Sequence, residues 1–339
     1  MIDFLLLNLI SIGIAIVVDF IIGDPYGFPH PVIYMGKFIS TLEKYFRKKA
    51  KDDKELKKYG VFIFLIVSFT TYLITFLIVN LFSFNKMLYI LLNSFLLYTT
   101  VAAKCLKIES EKVYKALDDV DIKKARLMLS YIVGRDTTYL EENEIVRAAV
   151  ETVAENTSDG VIAPLFYGII GGAPLAMMYK AINTMDSMLG YLTEKYKYIG
   201  YFPAKLDDIA NFIPARITGM AMCISSPIVG GNIIRAFRIM IRDRKNHKSP
   251  NCAYPEGAAA GAMDIRLGGT NIYFGEVIEK PTIGDNIKPI NRKHIKECNK
   301  LMIVSEILFF IFSICIVGVI NLWTKHWLVM VEIYIQKGY

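Results

Sequence analysis

Cysteines are few in this chain and histidines fewer. The five cysteines, Cys105, Cys223, Cys252, Cys298 and Cys315, stand isolated, with no C-x-x-C pair. Neither a disulfide framework nor a zinc site is expected from them. Of the four histidines, His247, His294 and His326 lack metal-ligand spacing. His30, inside Pro29-His30-Pro31, suits a structural hydrogen bond at least as well as a base. There is no P-loop and no G-x-S-x-G elbow. No nucleic-acid-reading motif occurs, and no basic patch interleaved with aromatics, so the net charge of +7 does not point to RNA or DNA. A long internal repeat is also missing.

What is present is apolar. Of 339 residues, 54% are hydrophobic and 12% aromatic, and the mean hydropathy is +0.38; a soluble domain is roughly 45–50% apolar. The charged residues, 21% of the chain, gather in particular segments, as when membrane spans alternate with aqueous loops. The expected fold is all-α: a polytopic helical membrane protein with broken or re-entrant Gly/Pro-containing helices and cytoplasmic helical segments. Residues 1–339 form one integral membrane domain. Spans are expected at 4–22, 61–82, 87–103, 161–182 (broken or re-entrant), 217–234 and 301–320, with cytoplasmic loops at 23–60, 104–160 and 242–300.

The first span lacks the basic n-region and cleavage site of a signal peptide and is read as retained. Gly23-Asp24-Pro25-Tyr26-Gly27-Phe28-Pro29-His30-Pro31 forbids regular helix and fixes a loop. The basic stretch that follows, from Lys37 to Lys58, belongs in the cytoplasm by the positive-inside rule. Residues 61–82 carry no charge and suffice to cross about 30 Å of hydrocarbon. Further on, Val113, Ala116, Leu117 and Val120 are spaced for one buried helix face, and Thr138 with Glu141 fits a capping box. Pro164, Gly168, Gly171, Gly172 and Pro174 make 161–182 unsuited to a straight lipid-facing span. Broken backbone at membrane depth is tolerated only where protein or water covers it. Trp323 and Trp327 sit where interfacial aromatics are expected.

Read as a helix, Arg147 to Gly160 places Arg147, Glu151 and Glu155 at successive i,i+4 steps, with Asp159 continuing the row. A solvated ion pair worth ~0.3–0.5 kcal/mol would explain Arg147 and Glu151 alone. The chemistry repeats downstream, however. Asn156-Thr157-Ser158-Asp159 and Asn183-Thr184-Met185-Asp186 are both Asn-x-x-Asp, with Lys180 and Ser187 on the second helix, and Asp207-Asp208 precedes Asn211 and Arg216. Mg²⁺ takes oxygen ligands, usually one or two carboxylates plus substrate phosphates. Glu151, Glu155, Asn156, Asp159 and Asp186 are the candidate metal residues. Lys180, Arg135 and Arg216 are candidates for phosphate charge, with Arg supplying a bidentate fork. Asp207 or Asp208 is the candidate base. Caps and interhelical glue are the plain alternative for any one of these groups; the whole set at membrane borders argues for function.

The chain resembles the adenosylcobinamide-phosphate synthase family (CbiB/CobD) of cobalamin biosynthesis, which are integral membrane proteins. The resemblance rests on Gly23-Asp24-Pro25 with Pro29-His30-Pro31, on Gly134-Arg135-Asp136-Thr137, and on the block AVETVAENTSDGVIAPLFY from Ala149. It continues through Gly171-Gly172-Ala173-Pro174, Tyr179 to Met188, Leu206-Asp207-Asp208 and Pro214-Ala215-Arg216. Ser249-Pro250-Asn251, Tyr254-Pro255-Glu256 and Arg266-Leu267-Gly268-Gly269 complete it. Cys252-Ala253 and Asp264 depart mildly from the family pattern. The resemblance implies ATP-dependent joining of a propionate carboxylate of adenosylcobyric acid to (R)-1-amino-2-propanol or its O-phosphate, an amide-forming carbon–nitrogen ligase reaction. It makes Mg²⁺ and ATP the expected cofactor and co-substrate. His30, Asp24, Asn183, Ser187, Asn251, Tyr254, Glu256 and Arg266 are the expected substrate-binding residues. The corrinoid, the amine and the lipid bilayer are the expected partners, without nucleic acid; self-association and docking of other cobalamin-biosynthesis enzymes stay open. The site is expected at the cytoplasmic face of a multi-pass cell-membrane protein. Two rival readings are an intramembrane prenyltransferase that holds Mg²⁺-diphosphate on acidic clusters, and a corrinoid transporter with broken helices.

Overall fold

The computed structural model describes residues 2–25, 27, 29–273 and 276–336; Tyr26 and Phe28 of the Gly23–Pro31 loop lie outside the described residues. The protein is a polytopic helical membrane protein. Among the described residues, six helical stretches, some of them interrupted, are long and apolar enough to cross a bilayer: Asp3–Ile22, Asp53–Leu81, Lys86–Asp118, Glu142–Leu189, Phe212–Val229 and Lys293–Thr324. On Asp53–Leu81, Phe62, Leu65, Phe69 and Leu77 are exposed, as lipid-facing side chains are.

The chain enters as α1 (Ile2–Ile22), and α2 (Pro31–Lys49) follows the Gly/Pro loop. Pro31 suits the first turn of α2, where its missing N–H costs nothing, and the His30 side chain caps it by accepting the Val32 N–H at 3.3 Å. α3 (Asp53–Leu81) and α4 (Lys86–Tyr98) make a hairpin. The span expected at 87–103 is broken: α4 ends at Tyr98, and α5 (Ala103–Asp118) starts afresh. Val113, Ala116 and Leu117 of α5 are buried, whereas Val120 is 86% exposed. The helix stops at Asp118, and Val120 turns left-handed at φ 60°. Asp121 then caps α6 (Ile122–Ser130) through the Lys124 N–H, 2.9 Å away. Nor do Thr138 and Glu141 form the expected box. α7 (Glu142–Thr157) is capped by Glu144, whose side chain returns to the Glu141 N–H at 2.9 Å.

After α7 a π turn over Ser158–Ile162 leads into α8 (Ala163–Leu189), which contains the structural surprise of the fold. Gly171 and Gly172 leave helical geometry, the latter at φ 64°, ψ −162°. The chain folds back there: the Tyr179 ring stacks on Tyr167 at 5.0 Å, and the Tyr179 hydroxyl lies 3.1 Å from the Asp159 carbonyl. Residues 161–182 are therefore a helical hairpin broken at Gly171-Gly172, its first arm continuous with α7 through the π turn. Its tip is sealed by side chains: Asn93 Oδ1 accepts the Ala173 N–H at 2.8 Å, and Asn8 Nδ2 donates to the Ile169 carbonyl at 3.3 Å. These bonds give the broken backbone partners inside the protein.

α9 (Tyr201–Ala210) and α10 (Phe212–Ser225) follow. The span expected at 217–234 is cut short, because a 3₁₀ turn over Ser226–Val229 and Gly230 reverse the chain into α11 (Ile233–Asp243). The segment 242–300, read as a polar loop, contains a buried helix, α12 (Ala253–Met263), and an antiparallel hairpin of β1 (Arg266–Tyr273) and β2 (Glu276–Gly284). α12 packs on α10 and α11 because its small residues allow close approach. A Cβ on Gly261 would meet Ala236 Cα at 2.7 Å, and one on Gly257 would meet Met240 Cα at 3.0 Å. α13 (Lys293–Gln336) completes the fold. Two apolar cores result: one joins α1, α4, α5, α7, α10, α12 and α13, and the other joins α2, α3 and the second arm of α8.

Candidate functional site

The π turn sets the site. By widening one turn between α7 and α8, it presents Asp159 beside Glu155 of α7, and such bulges recur at functional sites. Asp186 of α8, Asp207 and Asp208 of α9, and the loop between α11 and α12 enclose the same space. Glu155, Asp159, Asp186, Asp207, Asp208 and Asn251 line one cavity of about 340 Å³.

Each carboxylate is held differently. Asp207 receives Asn211 Nδ2 at 3.0 Å on one oxygen and Asn183 Nδ2 at 3.4 Å on the other. Burial, then the neighbouring Asp186, pushes Asp207 up to about 7, and the hydrogen bonds from Asn211 and Asn183 hold it from going further. Asp208 accepts from Ser249 Oγ at 3.1 Å and from Lys205 Nζ at 3.4 Å, and its carbonyl accepts from Asn251 Nδ2 at 2.8 Å. Glu155 accepts from Cys252 Sγ at 3.0 Å. Burial and the adjacent Glu155 raise the Cys252 thiol well above its ordinary range, so it stays a protonated donor.

The other residues expected at the site lie elsewhere. Asp24, His30 and Lys180 line a second cavity of about 420 Å³ with Cys105 and Glu109. His30 Nε2 stands 3.6 Å from Asp24 Oδ1. Burial lowers the His30 pKa, and Asp24 opposes that shift. Lys180 faces the field of both Asp24 and Asp159 and so joins the two cavities electrostatically. Arg216 and Tyr254 line a third cavity.

Glu151 leaves the metal set and Arg135 the phosphate set. The two are ion-paired, with side chains only 8% and 7% exposed, and the Gly268 N–H occupies the other Glu151 oxygen at 2.8 Å. Asn156 is turned back to the Thr152 carbonyl at 3.0 Å. Asn183 acts through Asp207, while Ser187 is exposed and donates to the Asn183 carbonyl at 2.9 Å. Glu256 is buried within α12, and Arg266 is exposed on β1. Sequence reasoning missed Lys197, Lys205, His247 and Lys248 as lining residues. Lys205 alone carried a signal, since it stands i,i+3 to Asp208.

Among the described residues, no three His, Cys, Asp or Glu side chains stand close enough to hold a metal ion by themselves. The donor set nonetheless fits Mg²⁺ in its usual protein mode, in which hard carboxylates supply one or two ligands and substrate phosphates and water complete the shell.

The family model described as CobD/Cbib protein matches residues 12–302. The chain is 58% identical over 316 residues to Cobalamin biosynthesis protein CobD of Clostridium tetani, covering 93% of this chain and 100% of that protein. It is 59% identical over 309 residues to the protein of the same name from Clostridium acetobutylicum, covering 91% and 98%. For that of Listeria monocytogenes the values are 46% over 297 residues, 88% and 94%. No solved structure matches the chain. With the family model spanning most of its length and relatives this similar, the chain belongs to the CobD/Cbib protein family.

Proposed function

We propose that this protein is a cobalamin-biosynthesis enzyme that joins a propionate carboxylate of adenosylcobyric acid to (R)-1-amino-2-propanol or its O-phosphate at the expense of ATP. The observation that carries this reading is the convergence of Glu155, Asp159, Asp186, Asp207 and Asp208 on one cavity at the mouth of the hairpin broken at Gly171-Gly172. That much negative charge in one place calls for a cation and a phosphorylated ligand. Lys180 stands between this cavity and the neighbouring one. The cavity is read as opening to the cytoplasm, on the side of the basic Lys37–Lys58 stretch.

A carboxylate does not react with an amine at neutral pH, so its oxygen must first become a leaving group. Attack of the propionate on the γ-phosphorus of ATP forms an acyl phosphate and releases ADP. Attack of the neutral amine on the acyl carbon then expels phosphate and leaves the amide. When bound at Glu155, Asp159 and Asp186, Mg²⁺ would neutralise phosphate charge. Lys180 and Arg216 supply fixed positive charge to the phosphates. Asp207, held by Asn211 and Asn183, takes the proton that the incoming ammonium must lose. Asp24, Glu109 and His30 in the adjoining cavity are suited to a cationic amine. No observation favours the prenyltransferase or transporter readings.

The test is direct. Detergent-purified protein is incubated with adenosylcobyric acid, aminopropanol with and without its phosphate, ATP and Mg²⁺, and the product is followed by mass. A corrinoid heavier by the amine less one water is expected. Release of diphosphate from an isoprenyl diphosphate in the absence of corrinoid would overturn the reading.

A further inference from the structure

Two of the three arginines of α11, Arg235 and Arg242, are paired with carboxylates. Arg235 stands 2.9 Å from Asp264, and Arg242 stands 2.7 Å from Asp243 and 2.9 Å from Asp285. Immediately beyond the helix the pattern stops. Among the described residues, no carboxylate lies within ion-pair reach of Arg244, Lys245 or Lys248, nor of Arg216 on α10. These four side chains and His247 surround one cavity of about 340 Å³.

Arg216 is the ordered member. Its Nη1 donates to Asn251 Oδ1 at 3.1 Å and to the Phe212 carbonyl at 2.5 Å, and its guanidinium lies 3.5 Å and 4.3 Å from the ring centroids of Phe212 and Tyr254. Among the described residues, Nε and Nη2 have no protein acceptor, and that edge is the fork that grips a phosphate bidentately. The loop bearing the lysines is also fixed: His247 Nδ1 accepts the Ser249 N–H at 3.0 Å, and Ser249 Oγ accepts the Asn251 N–H at 3.3 Å. His247 and Lys248 line both this cavity and the carboxylate cavity. A basic cavity therefore borders an acidic one.

We propose that the Arg216–Lys248 cavity is a phosphate subsite, which seats a multivalent phosphate anion whose adjoining groups reach the carboxylates next door. Like charges this concentrated repel one another, and a multivalent anion cancels them together. Taking the anion to be the polyphosphate of the nucleotide rests on the ligation reading above; the subsite itself does not. A phospholipid headgroup offers the same chemistry from a second source.

Inorganic tripolyphosphate is the probe, titrated calorimetrically into the full-length protein in lipid-depleted detergent and in nanodiscs of phosphatidylcholine or phosphatidylglycerol. Binding is expected to weaken at least tenfold in K245E/K248E, and also in Arg216→Lys, which keeps the charge and loses the fork. K51E/K54E, on the basic Lys37–Lys58 stretch that lines none of the three cavities, should bind as the wild type does. Each variant is first shown to elute and melt as the wild type does; Lys245→Ala/Lys248→Ala replaces any reversal that does not. Unchanged binding in K245E/K248E and Arg216→Lys overturns the subsite. Binding that survives phosphatidylcholine and vanishes in phosphatidylglycerol assigns the cavity to lipid headgroups and overturns a soluble ligand. If K245E/K248E ligates with an unchanged KM for ATP, the nucleotide assignment falls while ligation stands. If the wild type binds tripolyphosphate and never ligates, the ligation reading falls while the subsite stands.

Discussion

Arg135 donates through Nη2 to Glu151 Oε2, a buried ion pair that ties the Gly134-Arg135 loop to α7 behind the carboxylate cavity. The Gly268 N–H on the other oxygen adds β1 to the same clasp. Glu151→Ala strands a buried guanidinium, and loss of one partner of such a pair costs about 3–5 kcal/mol. The expected outcome is a clear drop in the thermal unfolding midpoint in detergent, a similar drop for Arg135→Ala, and a double variant that loses less than the sum. Glu151→Gln that folds should ligate with an unchanged Mg²⁺ requirement. A requirement shifted as far as in Glu155→Ala would return Glu151 to the metal set.

Asp207 makes a signed pH prediction. Its ordinary value is 3.8, and in the folded protein it is raised to about 7. Across that window the native state holds a proton that the unfolded chain has released. Stability contributed at this site is therefore highest at low pH and falls as pH rises from about 4 to 7. Activity runs the other way, because the base must be ionised: kcat/KM should climb with pH to a plateau as Asp207 loses its proton. Asp207→Asn should abolish that limb. Asn183→Ala, which removes one hydrogen bond to the carboxylate, should move it upward. A limb unmoved by Asn183→Ala would assign it to another group.

Several of these features were legible in the residues before any coordinates. Residues 61–82 carry no charge, and Gly171-Gly172 with Pro174 could not make a straight span, so the apolar helices and the break in 161–182 were open to reading. The Glu155–Asp159 spacing and the acidic pairs at Asp186 and Asp207-Asp208 likewise marked the carboxylate cavity. Periodicity gave a face but not what meets it. Glu151 belongs to the same row as Glu155, yet its partner is Arg135, which only the tertiary fold brings near. Val120 continued the apolar spacing one turn beyond the point where α5 stops. α12 was taken for loop because a helix of Ala and Gly that is buried all round has no polarity period to detect. Arg244, Lys245 and Lys248 carried no signal in the sequence, since nothing local ties them to Arg216.

Glu155 and Asp159 are the sharpest test of the metal assignment. Removing either carboxylate should raise the Mg²⁺ concentration needed for half-maximal ligation by roughly 10-fold or more, in line with losses seen when metal-supporting groups are removed. Saturating Mg²⁺ should recover much of the rate. Glu155 also accepts from Cys252, so Cys252→Ala provides a control that disturbs its orientation while leaving the carboxylate in place; it should have the smaller effect. Wild-type ligation by both Glu155→Ala and Asp159→Ala at limiting Mg²⁺ would remove these residues from the metal site.

The hairpin broken at Gly171-Gly172 carries Asp159 at the base of one arm and Lys180 and Asp186 on the other, so its tip should control the geometry of the site from a distance. Tyr89 OH donates to Asn8 Oδ1 at 2.9 Å, and Asn93 Nδ2 donates to the same atom at 3.2 Å, while Asn93 Oδ1 receives the Ala173 N–H at 2.8 Å. Asn93→Leu would leave that buried N–H without an acceptor, which costs about 1–3 kcal/mol. Gly172 sits at φ 64°, ψ −162°, a region that residues other than glycine avoid at about 1–3 kcal/mol. A Cβ there would also press on Asn8 Oδ1 at 3.0 Å. Both Gly172→Ala and Asn93→Leu should lower the unfolding midpoint. In the fraction that stays folded, kcat for ligation should fall more than KM for ATP rises, because the arms are misplaced and no ligand contact is removed. Asn93→Gln keeps both an acceptor and a donor at the tip and should lose less than Asn93→Leu. Wild-type melting and turnover in Asn93→Leu would show that the tip is held by packing alone.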